Sequence, residues 1–391
     1  MSAATTNQSN TGQPDTKVPA GNNKAPQPPA PRRRNSLAKG HLPRFAIPGI
    51  AAGSLVLGAA ASTLTGFSVA TMAIYTAIIF VLAASITTTA VEGPRRGKNS
   101  LATYLVYGAF LLALVPLASV LFTVLEKGLP GINMHFLFNS MNGVTGAVDN
   151  ASVENGTPVI GGAYHAVVGT LLITLWSTII SVPVGMLTAI YLVEYGKNGP
   201  LARAITFFVD VMTGIPSIVA GLFATALFAV LFGPTARMGI VAAVALSVLM
   251  IPTVVRSTEE MLKIVPNELR EASYALGVRK WRTITKVVIP TAISGIASGV
   301  TLAIARVIGE TAPILVTAGL ANNINVNVFG NWMATLPTFI YYQIITPTSP
   351  TNIDPSIQRA WAAALLLIGM VMVLNLGARL IASLFAPKKG R

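Results

Sequence analysis

Along this chain apolar residues come neither as helical stripes nor as alternating positions. They come as runs of about 20, separated by short polar stretches. A helix needs about 20 mostly apolar residues to cross a bilayer. Eight runs reach that scale, at 45–66, 68–91, 101–125, 165–194, 204–232, 238–255, 291–318 and 359–384. The pattern predicts an all-α polytopic membrane protein with about eight transmembrane helices. The first two runs are separated only by a turn around Thr65 to Ser68 and are expected to form a hairpin. The fourth and fifth are longer than a bilayer requires, so they are expected to tilt or to extend beyond it.

Composition agrees with this pattern. Of 391 residues, 53% are hydrophobic and 10% charged, against about 25% charged in soluble domains. The net charge of +14 would suggest nucleic acid if it lay on a soluble domain. Instead the cations flank the apolar runs, and no nucleic-acid partner is expected. They precede the first run (Arg32, Arg33, Arg34, Lys39, Arg44) and follow the second (Arg95, Arg96, Lys98). They also follow the fourth (Lys197, Arg203) and the sixth (Arg256, Lys263, Arg270, Arg279, Lys280, Arg282, Lys286). The last cluster, Lys388, Lys389 and Arg391, closes the chain. With eight spans, all five clusters fall on one side. The positive-inside bias makes that side the cytoplasm, so both termini are expected there and the chain in the plasma membrane. Two stretches of about 40 residues, 126–164 and 319–358, are expected on the opposite side.

Other chemistry is excluded. The chain has no cysteine, hence no disulfide or thiolate site. His41, His135 and His165 are too scattered for a metal centre, and His165 is expected at a membrane interface. Residues 1–44, rich in Ala, Asn, Gln, Pro and Thr, cannot bury a core and are expected to be a disordered cytoplasmic tail.

The loop after the sixth run, "EEMLKIVPNELREASYALGVRKWRTITKVVIP" at 259–290, is long, charged and amphipathic. Pro266 suits a helix start, and Glu268 and Glu271 lie where negative charge is favoured. Gly277 is placed to end that helix in a left-handed turn. Trp281, Ile284, Val287 and Val288 make a second amphipathic piece, with Pro290 opening the next span. Such a helix–Gly–helix suits a cleft on a partner; a helix lying among headgroups is the alternative. The chain lacks a Gly-x-x-x-x-Gly-Lys-Ser/Thr loop of its own. It is therefore expected to be no enzyme, with no catalytic residue and no cofactor.

"IARVIGETAPIL", 304–315, places Arg306 and Glu310 inside an apolar run. Ionisable residues at membrane depth mark functional sites by default, because a central Arg costs about 2.5–3.5 kcal/mol on insertion scales. Four residues apart on a helix, the two share a face and are expected to neutralise each other in part. Pro313 cannot donate to the carbonyl of Gly309, which weakens the helix there. Broken helices at membrane depth line cavities, so the stretch predicts one wall of a polar pathway. A planar arginine fork suits an oxyanion. Pro216, with Gly214, is expected to break the fifth span and make Ser217 a pathway hydroxyl. Arg256 ends the sixth span, and Asp210 is either a pathway residue or a cap.

These motifs resemble a known family. "EASYALGVRKWRTITKVVIP" is similar to the cytoplasmic coupling loop of type-I ABC importer permeases, with Glu271, Ala272, Gly277 and Pro290 in register and mild changes at Ser273, Val287 and Ile289. "ARVIGETAPIL", "GIPSIVAGLF" at 214–223, "IPTVVRSTEEML" at 251–262 and the stretch 161–195 resemble phosphate-specific ABC permeases, in wording closer to the PstA type than to the PstC type. The resemblance covers about 161–385. It implies a six-helix permease core made by the third to eighth spans. The domains are then a tail at 1–44, an extra hairpin at 45–95 and a permease domain at 101–385, best matched over 161–385, with its coupling loop at 256–290.

It also implies ATP-driven import of inorganic phosphate by alternating access. Arg306, Glu310, Thr311, Arg256 and Ser217 would line the pathway, with helix breaks at Pro216, Gly309 and Pro313. Glu271, Ala272 and Gly277 would dock on the ATPase. The implied partners are a PstC-type permease, a PstB-type ATPase dimer holding ATP and Mg, and a PstS-type extracytoplasmic binding protein. The alternatives are a permease for another oxyanion (sulfate, molybdate or phosphonate) and a secondary anion transporter.

Overall fold

A computed structural model describes residues 40–196 and 199–385. The cations at Arg32 to Arg34, Lys39, Lys197, Lys388, Lys389 and Arg391, and most of the 1–44 tail, lie outside them. Every regular element among the described residues is a helix. Seven helices are long and apolar enough to cross a membrane, or eight if one sharply bent pair counts as a single span. The chain forms two units that divide within one long helix at residues 114 and 115.

The first unit holds α1 (Ala46–Leu64), α2 (Val69–Glu92) and the first half of α3 (Pro94–Gly128). Ser54, Gly58 and Ser62, four apart, form the buried stripe of α1. A Cβ on Gly58 would lie 2.7 Å from the backbone nitrogen of Thr76 on α2. Small residues thus let the two backbones meet, as is usual where lipid supplies no hydrophobic drive between helices. Leu55, Val56, Ile74, Ile78 and Leu82 stay exposed and face what would be lipid. Ser68 accepts from Ala70 N at 3.3 Å and caps α2. Near the α2–α3 turn, Glu92 accepts from Leu42 N at 2.9 Å and from Arg96 at 3.2 Å.

The second unit surrounds α9 (Gly239–Ile264), whose Ala-rich first half is buried on nearly every side. Against it pack α6 (Tyr164–Ile190) and α12 (Ile289–Ile308), with Ile173, Leu246, Met250, Val254 and Val307 in the shared core. Gly185 of α6 brings its backbone within 2.7 Å, measured from a would-be Cβ, of Val254. The rest of α3 and α15 (Asp354–Phe385) complete the unit. Short helices α4 (Met134–Phe138), α5 (Gly146–Glu154) and α14 (Leu336–Ile345) lie in the two long polar stretches.

The fifth run is a bent pair, divided at Gly214 to Pro216: α7 (Pro200–Thr213) and α8 (Ser217–Phe232) meet at 108°. The seventh run also divides, into α12 and α13 (Ala312–Thr317). Pro290 opens no separate span. Lys280–Ile308 is continuous, formed by α11 (Lys280–Thr283), a π turn at Ile284–Val288, and α12. The wider π turn accommodates the missing N–H and ring of Pro290 without breaking the helix. His165, second residue of α6, is 2% exposed, with Phe339 of α14 packed edge-on at 5.4 Å, because α14 folds back over the start of α6.

Candidate functional site

The close packing of α12 on α9 positions the charged stretch. Gly295 and Gly299 of α12 face Met261 and Ser257 of α9; a Cβ on Gly299 would lie 2.5 Å from the Ser257 Cβ. Residue numbers rise along one helix as they fall along the other, so the pair is antiparallel. Two turns beyond Gly299, Arg306 therefore arrives beside the middle of α9, and its Nη1 donates to Thr253 Oγ1 at 3.4 Å. The residue is exposed, and its guanidinium has no other polar partner among the described residues.

Arg306 and Glu310 do not pair. The helix that would have put them on one face ends at Ile308, and Gly309 turns the chain at φ −91 and ψ 0. Glu310, half-buried, has no side-chain partner among the described residues. Pro313 also acts differently from expectation. It is the second residue of α13, where no helical N–H is required, so it starts a helix instead of weakening one. Thr311 precedes α13, and its carbonyl accepts from Ile314 and Leu315.

The two broken spans come together. Gly221 of α8 abuts Pro313, its would-be Cβ 2.7 Å from the Pro313 Cα. One turn on, Thr225 Oγ1 donates to the Val316 carbonyl at 3.3 Å. Both contacts advance in the same direction, so α8 and α13 are parallel and begin at the same end. Pro216 stands immediately before α8, after the bend that starts at Gly214. Ser217, first residue of α8 and half-buried, thus lies at the same end of this helix pair as Glu310 and Thr311.

Arg256 is differently placed. It lies one turn from Thr253 on α9, but it is committed to ion pairs with Asp210 of α7 and with Glu259 at 3.1 Å. Glu259 in turn holds Lys263 at 2.7 Å. The four form a chain of alternating charge along the end of α9. Asp210 is thereby a partner of Arg256.

The loop after α9 forms α10 (Asn267–Ala275), then Gly277 at φ +72, then α11. Glu271, Ala272 and Gly277 are exposed. So are large apolar residues beside them, Leu276 at 83% and Trp281 at 53%, which a soluble surface would not be expected to cluster. The opposite face is tied down. Arg270 Nε and Nη2 both donate to Glu194 Oε1 at 3.0 Å. Ser273 and Thr283 hydroxyls meet at 2.8 Å.

The sequence assigned no site role to Glu194, Arg270, Asp149 or Arg359. Glu194 alone had a visible signal, as the one carboxylate within the fourth apolar run.

The family of "binding-protein-dependent transport system inner membrane component" matches residues 181–391. Among curated relatives, the chain is 44% identical over 288 residues to "phosphate transport system permease protein PstA 1" of Mycobacterium tuberculosis (strain ATCC 25618 / H37Rv), covering 73% of this chain and 88% of that one. It is 38% identical over 299 residues to "phosphate transport system permease protein PstA" of Yersinia pestis, covering 75% and 92%. A solved inward-facing structure of the MetNI methionine ABC transporter is 21% identical, with a TM-score of 0.45 over 57% of this chain and 94% of that one.

Proposed function

The chain belongs to the family of binding-protein-dependent transport system inner membrane components, and from that premise we propose how it works, as the transmembrane permease subunit of an ATP-driven importer of inorganic phosphate. It is a multi-pass membrane protein, and phosphate is the cargo named for the relatives it matches along about three quarters of its length.

The observation that carries the mechanism is the guanidinium of Arg306, held in a membrane-crossing helix with one long hydrogen bond. Arginine has five N–H donors in a planar fork, and a tetrahedral oxyanion can take two in parallel. Among the described residues only Thr253 engages one of them. Glu310, just past the helix end, limits the net positive charge, so an anion is held weakly enough to leave. Thr311 and Ser217 add hydroxyls at the shared start of α8 and α13. Arg256, one turn along α9 from Thr253, is a second guanidinium that the anion meets only if Asp210 or Glu259 yields it.

Energy enters elsewhere. ATP and Mg are held by a PstB-type ATPase dimer, on which Glu271, Ala272 and Gly277 dock together with exposed Leu276 and Trp281. A PstC-type permease supplies the other half of the pathway, and a PstS-type binding protein delivers phosphate to the outer segments. Both termini are cytoplasmic and the membrane is the plasma membrane. Transport requires two states of different affinity, since an anion held equally in both shifts nothing.

Reconstitution of the whole complex in proteoliposomes tests this. Uptake of phosphate, not sulfate, dependent on ATP and on the binding protein, is expected. Preference for sulfate would overturn the substrate; uptake without ATPase would overturn the coupling.

A further inference from the structure

The two faces of α10 differ in a way the docking role does not explain. Its outer face is exposed at Glu271, Ala272, Tyr274 and Ala275. Its inner face carries Arg270, adjacent in sequence to Glu271, with a guanidinium that reaches two other elements. Nε and Nη2 donate to Glu194, in the π turn Tyr191–Tyr195 that ends α6. Nη2 also donates to the Leu262 carbonyl in α9 at 2.9 Å, and Nη1 to the Val265 carbonyl at 2.6 Å. The side chains are 12% and 5% exposed. Lys280 reinforces the joint, donating to the Glu194 carbonyl and lying 4.6 Å from the Tyr195 ring centre.

A buried ion pair is seldom more stabilising than well-packed apolar residues of the same size. What it supplies is direction: several hydrogen bonds of fixed geometry allow two bodies to move together without sliding. Apolar contacts between α10 and α6 would slip. We propose that Arg270 and Glu194 form the strut that carries displacement of α10 into α6 and α9, and so into the helix that supports Arg306. They are positioning residues; neither touches the transported anion. The proposal rests on the permease function above, and a structural staple is its rival.

The two are separated by the ratio of anion moved to ATP hydrolysed, measured with the full reconstituted complex and its loaded binding protein. For Glu194→Gln, which keeps size and a hydrogen-bond acceptor, the ATPase is expected to co-purify in wild-type amount and hydrolysis to continue. Phosphate moved per ATP falls at least several-fold. Arg270→Lys, with its charge but no fork, falls less. If uptake and hydrolysis fall in proportion, or neither changes, the strut is refuted. If Glu194→Gln does not assemble, the ratio of Arg270→Lys decides alone. The wild-type complex is the control for the underlying function. If it moves another anion, the ratio is taken with that anion; if it moves none, permease and strut fail together.

Discussion

Arg359 makes six hydrogen-bond contacts through its five N–H groups; Arg306 makes one among the described residues. Arg359, at the start of α15, is 2% exposed. It binds both oxygens of Asp149 at 2.9 and 2.6 Å, Gln343 at 3.0 Å, the Ile160 carbonyl at 2.9 Å, and the Thr348 and Ser356 hydroxyls at 3.1 Å each. Its donors are all used, so it binds nothing else. It ties α5, the 160 and 343–348 segments and α15 into one cap. Arg306 has the same chemical group, exposed, with a single contact at 3.4 Å. The same group thus does two different things: Arg359 is spent on the fold, while Arg306 keeps most of its donors available.

Breaking the caged arginine is expected to give the largest effect on stability. Asp149→Ala leaves the Arg359 charge buried and unpaired, at about 3–5 kcal/mol. Folded yield in detergent should collapse and the thermal midpoint fall steeply. Removing both charges in Asp149→Leu/Arg359→Met should recover most of the loss, since apolar replacement of a buried pair is often neutral. A double variant as poor as the single one would mean that the cap depends on its hydrogen bonds more than on charge balance.

Arg306→Gln should do the reverse. With one partner to lose, stability changes by no more than about 0.5 kcal/mol, read as an unmoved thermal midpoint. ATP-dependent phosphate uptake is lost altogether. Arg306→Lys keeps the charge without the fork, and uptake is expected to survive in part, about tenfold reduced if two parallel hydrogen bonds become one worth about 1.4 kcal/mol less. Normal uptake in Arg306→Gln would remove the arginine from the pathway. Thr253→Val is the smallest change: a long, exposed hydrogen bond contributes little, and less than about a twofold change in uptake is expected. A large effect there would mean that Thr253 positions the guanidinium.

Much of the fold was legible because its causes are local. Runs of apolar residues marked the spans, and Pro216 and Gly214 marked the bend that α7 and α8 make at 108°. Gly277 marked the end of α10, where φ is +72. Each depends on backbone constraints of a few neighbouring residues. The π turn before Pro290 was not legible, since two answers to the same proline, a fresh start or a widened turn, differ only in how the preceding helix is held. The candidate site was half legible. Arg306 stood out as a charge in an apolar run, yet its pairing with Glu310 assumed a helix that ends between them.

By itself, then, the sequence determined that the chain crosses the membrane, about where its helices begin and break, and which charges interrupt or flank the apolar runs. Tertiary structure alone decided which of those charges have partners. Arg359 finds Asp149 across 210 residues and Arg270 finds Glu194 across 76, while Glu310, four residues from Arg306, is not its partner. Helix ends and spans follow from local sterics and hydrophobicity. Pairing of charges follows from which helices come together, and that is set by packing across the whole second unit.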